Sequence, residues 1–393
     1  ANRTRMNAWL ILIAFAFHFM RWGIVFPLVP LLAEQMGAGP AMIGFAVGSF
    51  SLIAIFLSIP LGGLVDRFGP KRLLIIGVLC NIVNAVILLR TDTVFKLICA
   101  QMFSGVGFLL HVVASQAFFS RMPRPADRER GFGHLSFSGA GGQSFGPVLG
   151  GFLVDRFNYQ TAFWIVLVLS CVGLSVLGLR GTDERHPQKS PSSLLQNLRP
   201  VGLLAANPSI LMVLAFTFAI IFATDSRGSF LPVLLRNRGF TEADVGLLLS
   251  IFAATSTLIR LFFGKLMDAF DRNKVVAVSM LAIIVGVAPI PVIFSKAGYA
   301  VILSVFGLGF GLTQPLSMVM MADLADPGLS GLSMGLRFTA IMLGDLLSPI
   351  VLGFVVGVFG LAVAFYVAAA VVTLAGVHMF VLQSHLLPAR RQY

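Results

Sequence analysis

Two acids, Asp225 and Asp345, stand well inside long apolar runs, together with the arginines Arg21, Arg227 and Arg337. A charge in hydrocarbon is costly and marks a candidate functional site. A carboxylate removed from water holds its proton to higher pH, which suits a proton carrier working near neutrality. The competing expectation for Asp225 is a permanent ion pair, with Arg21 or with Arg227. For Asp345 it is a pair with an arginine of a neighbouring helix. His18 lies one helical turn before Arg21, so the two share a face. A guanidinium fork suits an anionic group, and three arginines here face only two acids. The proton-coupling candidates are therefore Asp225, Asp345 and His18. The substrate-contact candidates are Arg21, Arg227, Gln101, His111 and Gln314. His111 and His134 are expected as hydrogen-bonded core residues more than as proton sites, and Asn81, Asn84 and Gln116 as helix-to-helix contacts at least as much as cavity lining. Arg337 falls nearer a membrane surface, where a gating role is expected. Arg260 is expected to snorkel to the surface. Phe15, Phe17, Phe19 and Trp22 crowd the first run and are weaker candidates for lining a cavity.

The elements that hold these residues follow from composition. Of 393 residues, 57% are hydrophobic and 11% charged, against roughly 25% charged in a soluble domain. A soluble enzyme, a disordered chain and a disulfide scaffold are excluded. Runs of helical length also exclude a β-barrel, whose strands are about 10 residues long. The runs fall at about 8–33, 41–63, 73–90, 95–119, 131–153 and 160–180. Six more fall at about 208–235, 243–264, 274–294, 298–321, 331–355 and 358–383. Each is long enough for a transmembrane helix of about 20 residues, so the expected fold is an all-α membrane protein with 12 transmembrane helices. The first run is too long for a signal peptide and has no small-residue cleavage site.

The net charge of +12 is assigned to membrane orientation rather than to nucleic acid. With both ends cytoplasmic, 18 Lys and Arg fall on the cytoplasmic side and six on the other. That excess selects this orientation. Cys80, Cys99 and Cys171 sit in apolar runs without metal or redox spacing, and small buried fillers are expected. No P-loop, GxSxG or HExxH motif is present, so neither an enzyme nor a cofactor or metal is expected.

A shift of 202 residues aligns the chain with itself. Pro30 meets Pro232, Gly44 meets Gly246, Gly105 meets Gly307, Gly142 meets Gly344, and Pro147 and Gly151 meet Pro349 and Gly353. The expected organisation is an N-terminal six-helix half (1–180), a cytoplasmic linker (181–207) and a C-terminal six-helix half (208–393). Parallel halves related by an axis along the membrane normal place a substrate between them, near the midplane.

After the second run, Gly62, Leu64, Asp66, Arg67, Gly69, Lys71 and Arg72 stand in the order G-x-L-x-D-R-x-G-x-K-R. This resembles the loop signature of the major facilitator superfamily. A second copy keeps Gly264, Leu266, Asp268 and Lys274 but has lost the Asp-Arg pair. The resemblance implies a cytoplasmic gate built from Gly62, Asp66, Arg67, Gly69 and Arg72, with Asp268 and Arg337 as further members. The fifth run carries Gly133, Gly142, Gly146, Pro147, Gly150 and Gly151. This is similar to the antiporter motif of the drug/proton antiporter branch. Its glycines permit close helix packing and its proline permits a kink. Two departures stand out. Gln101 occupies the position where the family's fourth helix usually has an arginine implicated in proton transfer. The first helix holds His18 and Arg21 where several multidrug members have an acid.

The resulting expectation is a secondary transporter of the bacterial inner membrane. It would export a small, partly apolar solute by proton antiport, and would be a monomer in the lipid bilayer. The alternative is a proton- or exchange-coupled transporter, possibly an importer, of organic anions. A non-transporting sensor or a membrane-embedded enzyme lacks a supporting domain or constellation.

Overall fold

The computed structural model describes residues 2–58, 61–120, 122, 124–178, 207–324 and 330–386. The linker, apart from Asn207, lies outside the described residues. The chain is helical throughout the described residues. The first group of helices is α1 (Asn2–Gln35), α2 (Pro40–Ser58), α3 (Leu61–Phe68), α4 (Pro70–Leu89), α5 (Val94–Ser120), α6 (Pro125–Arg156) and α7 (Tyr159–Gly178). The second group is α8 (Pro208–Ser229), α9 (Leu231–Asn237), α10 (Glu242–Leu261), α11 (Phe263–Ala269), α12 (Arg272–Val287), α13 (Lys296–Leu324), α14 (Ser330–Phe359) and α15 (Leu361–Leu386).

Local chemistry explains the breaks. Pro208 opens α8, and the Asn207 side chain accepts from the Ser209 amide at 3.0 Å, satisfying a donor the helix start leaves free. Thr241 caps α10 in the same way, accepting from the Asp244 amide at 3.2 Å. Gly69 separates α3 from α4 at φ +81°, a conformation that glycine adopts without steric cost. Its repeat partner is Asp271, at φ −57°, so the second copy of the loop turns differently.

Among the described residues eleven helical segments are long and apolar enough to cross a bilayer. The exception among the long helices is α6, which is rich in glycine, serine and charge at its start. It still spans. Phe15 meets Gly139, the Ala16 carbonyl meets Gly142, the Met20 carbonyl Gly146 and the Ile24 carbonyl Gly150. The two helices therefore run parallel and in contact through the middle of α1. The polarity of α6 is spent on close packing rather than exposed to lipid.

The contacts between groups repeat themselves. A Cβ on Gly44 of α2 would collide with the Pro349 carbonyl of α14, and Gly353 lies against the Pro40 carbonyl. A Cβ on Gly246 of α10 would collide with the Pro147 carbonyl of α6, and Gly151 lies against the Glu242 carbonyl. Every residue in one seam is 202 positions from its counterpart in the other. The matches of Gly44 with Gly246, Pro147 with Pro349 and Gly151 with Gly353 thus mark surfaces where the two groups touch, whereas Gly105 and Gly142, like their partners Gly307 and Gly344, pack within a group.

The groups meet unevenly along their length. One core unites the far-side parts of the first group, such as Ile24, Leu28, Ile43 and Phe163, with the second group. A separate core holds the parts of the first group nearer its starting end, including Ile11, Phe15, Leu74 and Phe119, with Met342 the one fully buried member from the second group among the described residues. The far ends of α6 and α10 pack together, while Phe137 at the other end of α6 and Leu261 at the other end of α10 are exposed. The groups are closed on the side of residues 35–40 and 237–242 and splay apart on the side where α1 begins.

Candidate functional site

The closed side is fastened by a polar cluster around Arg236 of α9. Arg236 pairs with Glu242 at 3.2 Å and donates to the Tyr159 hydroxyl of α7 at 3.3 Å. Gln35 of α1, with its amide oxygen turned inward, accepts from Arg236 at 2.8 Å. Glu34 lies within its field and bonds to Asn237. None of these residues was singled out from sequence for a contact between groups. A signal existed: Glu34 and Arg236 are 202 apart and opposite in charge.

Inside the second group, α8 and α14 pack through Gly344 against Ile221 and the Phe218 carbonyl. One turn further, the Ser348 hydroxyl donates to the Phe222 carbonyl at 2.7 Å. On this same contact the Asp225 and Asp345 carboxyl groups lie close enough to interact directly. A carboxylate is acceptor-only, so a bond between two carboxyl groups needs a proton on one of them. Both residues are half-buried, and one oxygen of Asp225 has no partner. Among the described residues neither Asp225 with Arg21 nor Asp345 with an arginine forms an ion pair; of the expected partners only Arg227 acts on Asp225, through its charge. The reason is position: Arg21 is turned into the first group, away from α8.

Arg227 shares α8 with Asp225 and feels its charge, yet its guanidinium lies over the Phe252 ring at 3.9 Å and faces Phe26 of α1 at 5.6 Å. Aromatic faces attract a desolvated cation. Arg337 is buried, and it donates to the Ser317 hydroxyl at 2.8 Å and the Gln314 side-chain oxygen at 2.9 Å. It ties α14 to α13 within one group.

In the first group, Arg21 is 1% exposed. It donates to Asn84 at 2.9 Å and Ser104 at 3.4 Å. His18 stacks on His111 with ring centroids 4.4 Å apart and planes 3° apart. Asn81 bonds to His18 Nδ1 at 3.1 Å. Gln101 is buried nearby on α5, with its side-chain oxygen unpartnered. The sequence brought His18 and Arg21 to one face correctly. That face points into the group, so neither they nor His111 present themselves to a solute between the groups in this conformation.

The surface toward the second group is aromatic. Phe19, Trp22 and Phe50 surround Phe108 with centroids 5.5–5.7 Å away, and Phe26 stacks on Trp22 at 4.7 Å. All five are half-buried. Phe108, matched in the sequence only as the repeat partner of Phe310, was not expected at the site because it lies in a glycine-rich stretch that reads as packing.

The antiporter-like motif divides its labour. Gly142, Gly146 and Gly150 face α1, Gly151 faces α10 of the other group, and Pro147 meets both, its ring against Gly23 of α1 and its carbonyl against Gly246 of α10; Gly133 has open space around it. The side chains of Asp66 and Arg67 lie outside the described residues. Gly62 belongs to α3, and Arg72 and Asp268 are exposed. His134 is exposed beside Trp9, and Arg260 is exposed over Phe310. Cys80 and Cys99 are half-buried, but Cys171 is exposed on α7 and not the buried filler expected. Among the described residues no His, Cys, Asp or Glu cluster suits a metal.

The family model of the Major Facilitator Superfamily matches residues 11–344 and 228–392. The chain belongs to the Major Facilitator Superfamily. This superfamily member is 24% identical over 349 residues to Multidrug resistance protein 2 of Bacillus subtilis, covering 84% of each chain. It is 24% identical over 378 residues to the Probable nitrate transporter NarT of Staphylococcus haemolyticus, covering 94% of this chain and 93% of that one. Its fold matches a solved bacterial homologue of the human lysosomal transporter Spinster in an inward-facing, unoccupied conformation. That match has a TM-score of 0.79 at 13% identity and covers 98% of both chains. The protein is an integral membrane transporter that binds a small molecule within the membrane, and it is not an enzyme.

Proposed function

We propose that this transporter exports a small, partly apolar organic solute by proton antiport across a bacterial inner membrane. The observation that carries this reading is the Asp225–Asp345 carboxyl pair. It is a carboxyl pair able to hold a proton at the α8–α14 contact, and both its residues are half-buried. Solute would lie against the Phe19–Trp22–Phe26–Phe108 surface, whose faces suit apolar rings. The halves 1–180 and 208–393 rock about the two glycine–proline seams. With both termini cytoplasmic, the splayed side is the cytoplasmic one and the Arg236 cluster closes the outside. Similarity to a multidrug resistance protein supports the solute class. The protein is expected to work as a monomer.

The test is uptake of a lipophilic cation or neutral dye into proteoliposomes under an imposed pH gradient. Accumulation driven by the gradient, and lost in Asp225→Asn and Asp345→Asn, is expected. Gradient-driven transport that persists in both variants sinks the coupling mechanism.

A second reading, transport of organic anions, is favoured by one observation: Arg227 is a buried cation facing Phe26 across the groups. Similarity to a probable nitrate transporter adds to it. A thermal-stability screen separates the two readings. A bound ligand at a hundredfold excess over its Kd stabilises the folded state by about 2.7 kcal/mol. Anions stabilising the wild type but not Arg227→Gln would favour the second reading.

A further inference from the structure

Arg21 is buried at the middle of α1, and among the described residues no carboxylate pairs with it. An uncompensated buried charge is strongly unfavourable. A small cavity lies beside it, lined by His18, Arg21, Asn81, His111, Ser170 and Gly173 from α1, α4, α5 and α7. It has room for about one water-sized guest.

The hydrogen-bonding inventory around this cavity is unbalanced. Asn81 Nδ2 donates to His18 Nδ1, which leaves the proton of a neutral imidazole on Nε2. That Nε2 has no partner, and neither has Arg21 Nε nor either nitrogen of His111. A neutral His111 carries one N–H. Three buried N–H donors therefore stand unused, against two acceptors, the other His111 nitrogen and Asn81 Oδ1. Donor excess and a full positive charge complement an anion rather than a cation. A water would satisfy some of the donors and leave the charge uncompensated.

We infer that the cavity between α1, α4, α5 and α7 holds a resident small monovalent inorganic anion, bound by Arg21, His18 and His111. The ion neutralises Arg21 and lets a cationic side chain stand in the interior of a helix bundle. It is a fixed component of the first group, separate from the solute surface and from the carboxyl pair of the second.

The experiment uses the full chain, purified in detergent in a gluconate buffer and titrated with radiolabelled chloride at constant ionic strength. Saturable binding is expected at about one ion per chain, displaced by bromide and not by gluconate. The unfolding temperature should rise over the same chloride range. Arg21→Gln and His111→Leu should each weaken chloride binding at least about tenfold, or about 1.4 kcal/mol. Should Arg21→Gln not yield a monodisperse protein, His18→Leu and His111→Leu carry the test. Absence of saturable binding in monodisperse wild-type protein overturns the inference, as does unchanged affinity in the variants. Carriage of labelled chloride into proteoliposomes, stopped by the same variants, also overturns it, because the ion would then be cargo. None of these outcomes depends on proton coupling, which Asp225→Asn and Asp345→Asn report separately.

Discussion

The α1–α6 contact and the α8–α14 contact occupy equivalent places in the two groups and are built to different ends. In the first, Gly23 lies against Gly146 and Pro147, and Gly142 and Gly146 receive the carbonyls of Ala16 and Met20. In the second, 202 residues on, the glycine at 23 has become Asp225, the glutamine at 143 has become Asp345, and the glycine at 146 has become Ser348. The backbone frame is retained while its filling changes. One contact is close, with no side chain to protonate. The other carries a carboxyl pair and a hydroxyl bonded to the Phe222 carbonyl. Polar function has been added to one copy of a packing device, leaving the other copy as a rigid counterpart.

The largest expected effect comes from breaking the carboxyl pair. Asp225→Asn and Asp345→Asn should each reduce gradient-driven transport to the level of empty liposomes, with folding retained. The double variant should show little further loss, because two groups acting as one unit are non-additive. Full activity in either single variant would show that the pair is only structural.

Next come the seams. Gly246→Leu and Gly44→Leu force a side chain into the carbonyls of Pro147 and Pro349. Overpacking of this kind costs about 1–3 kcal/mol. Gly133→Leu, in open space, should leave the unfolding temperature unchanged. Equal losses in all three would show that the motif glycines do not divide as described.

A smaller effect is expected from Ser348→Ala, which removes one buried hydrogen bond and should cost about 0.5–1.5 kcal/mol. Ser348→Gly recreates the filling of the first group and should cost a few tenths more if a helix-interior glycine acts as usual. Thermal unfolding measures both. The smallest effect on stability belongs to Arg236→Gln, because partly exposed ion pairs contribute about 1 kcal/mol at most. Its informative readout is maleimide labelling of a cysteine introduced at Gly39, which should become faster as the closed side loosens. Unchanged labelling would show that the glycine seams alone hold that side.

Much of the architecture was legible because a bilayer demands long apolar runs and a duplicated chain repeats its glycines. The exception, α6, is instructive: its composition is set by contact with α1 and α10 rather than by lipid, so hydropathy understates it. Asp225 and Asp345 were legible singly as acids in hydrocarbon. Their pairing was not, since 120 positions separate them and nothing in spacing says which helices touch. Arg21 and His18 were placed on one face, but periodicity alone leaves open whether a face turns toward the partner group or into its own. The same ambiguity explains Cys171, an apolar-run residue on the lipid side of α7, and Arg337, whose partners Gln314 and Ser317 lie on another helix.

The two seams carry a further consequence. Gly44 against Pro349 and Gly246 against Pro147 are the two equivalents of one isologous contact, of the kind that closes a twofold dimer. In a dimer of identical chains, any substitution at such a contact is imposed twice. Fusion of the copies into one polypeptide removes that constraint, so a change at residue 44 leaves residue 246 untouched. Each seam is then free to acquire its own stiffness, and a mirror-like pair of hinges can become a directional one.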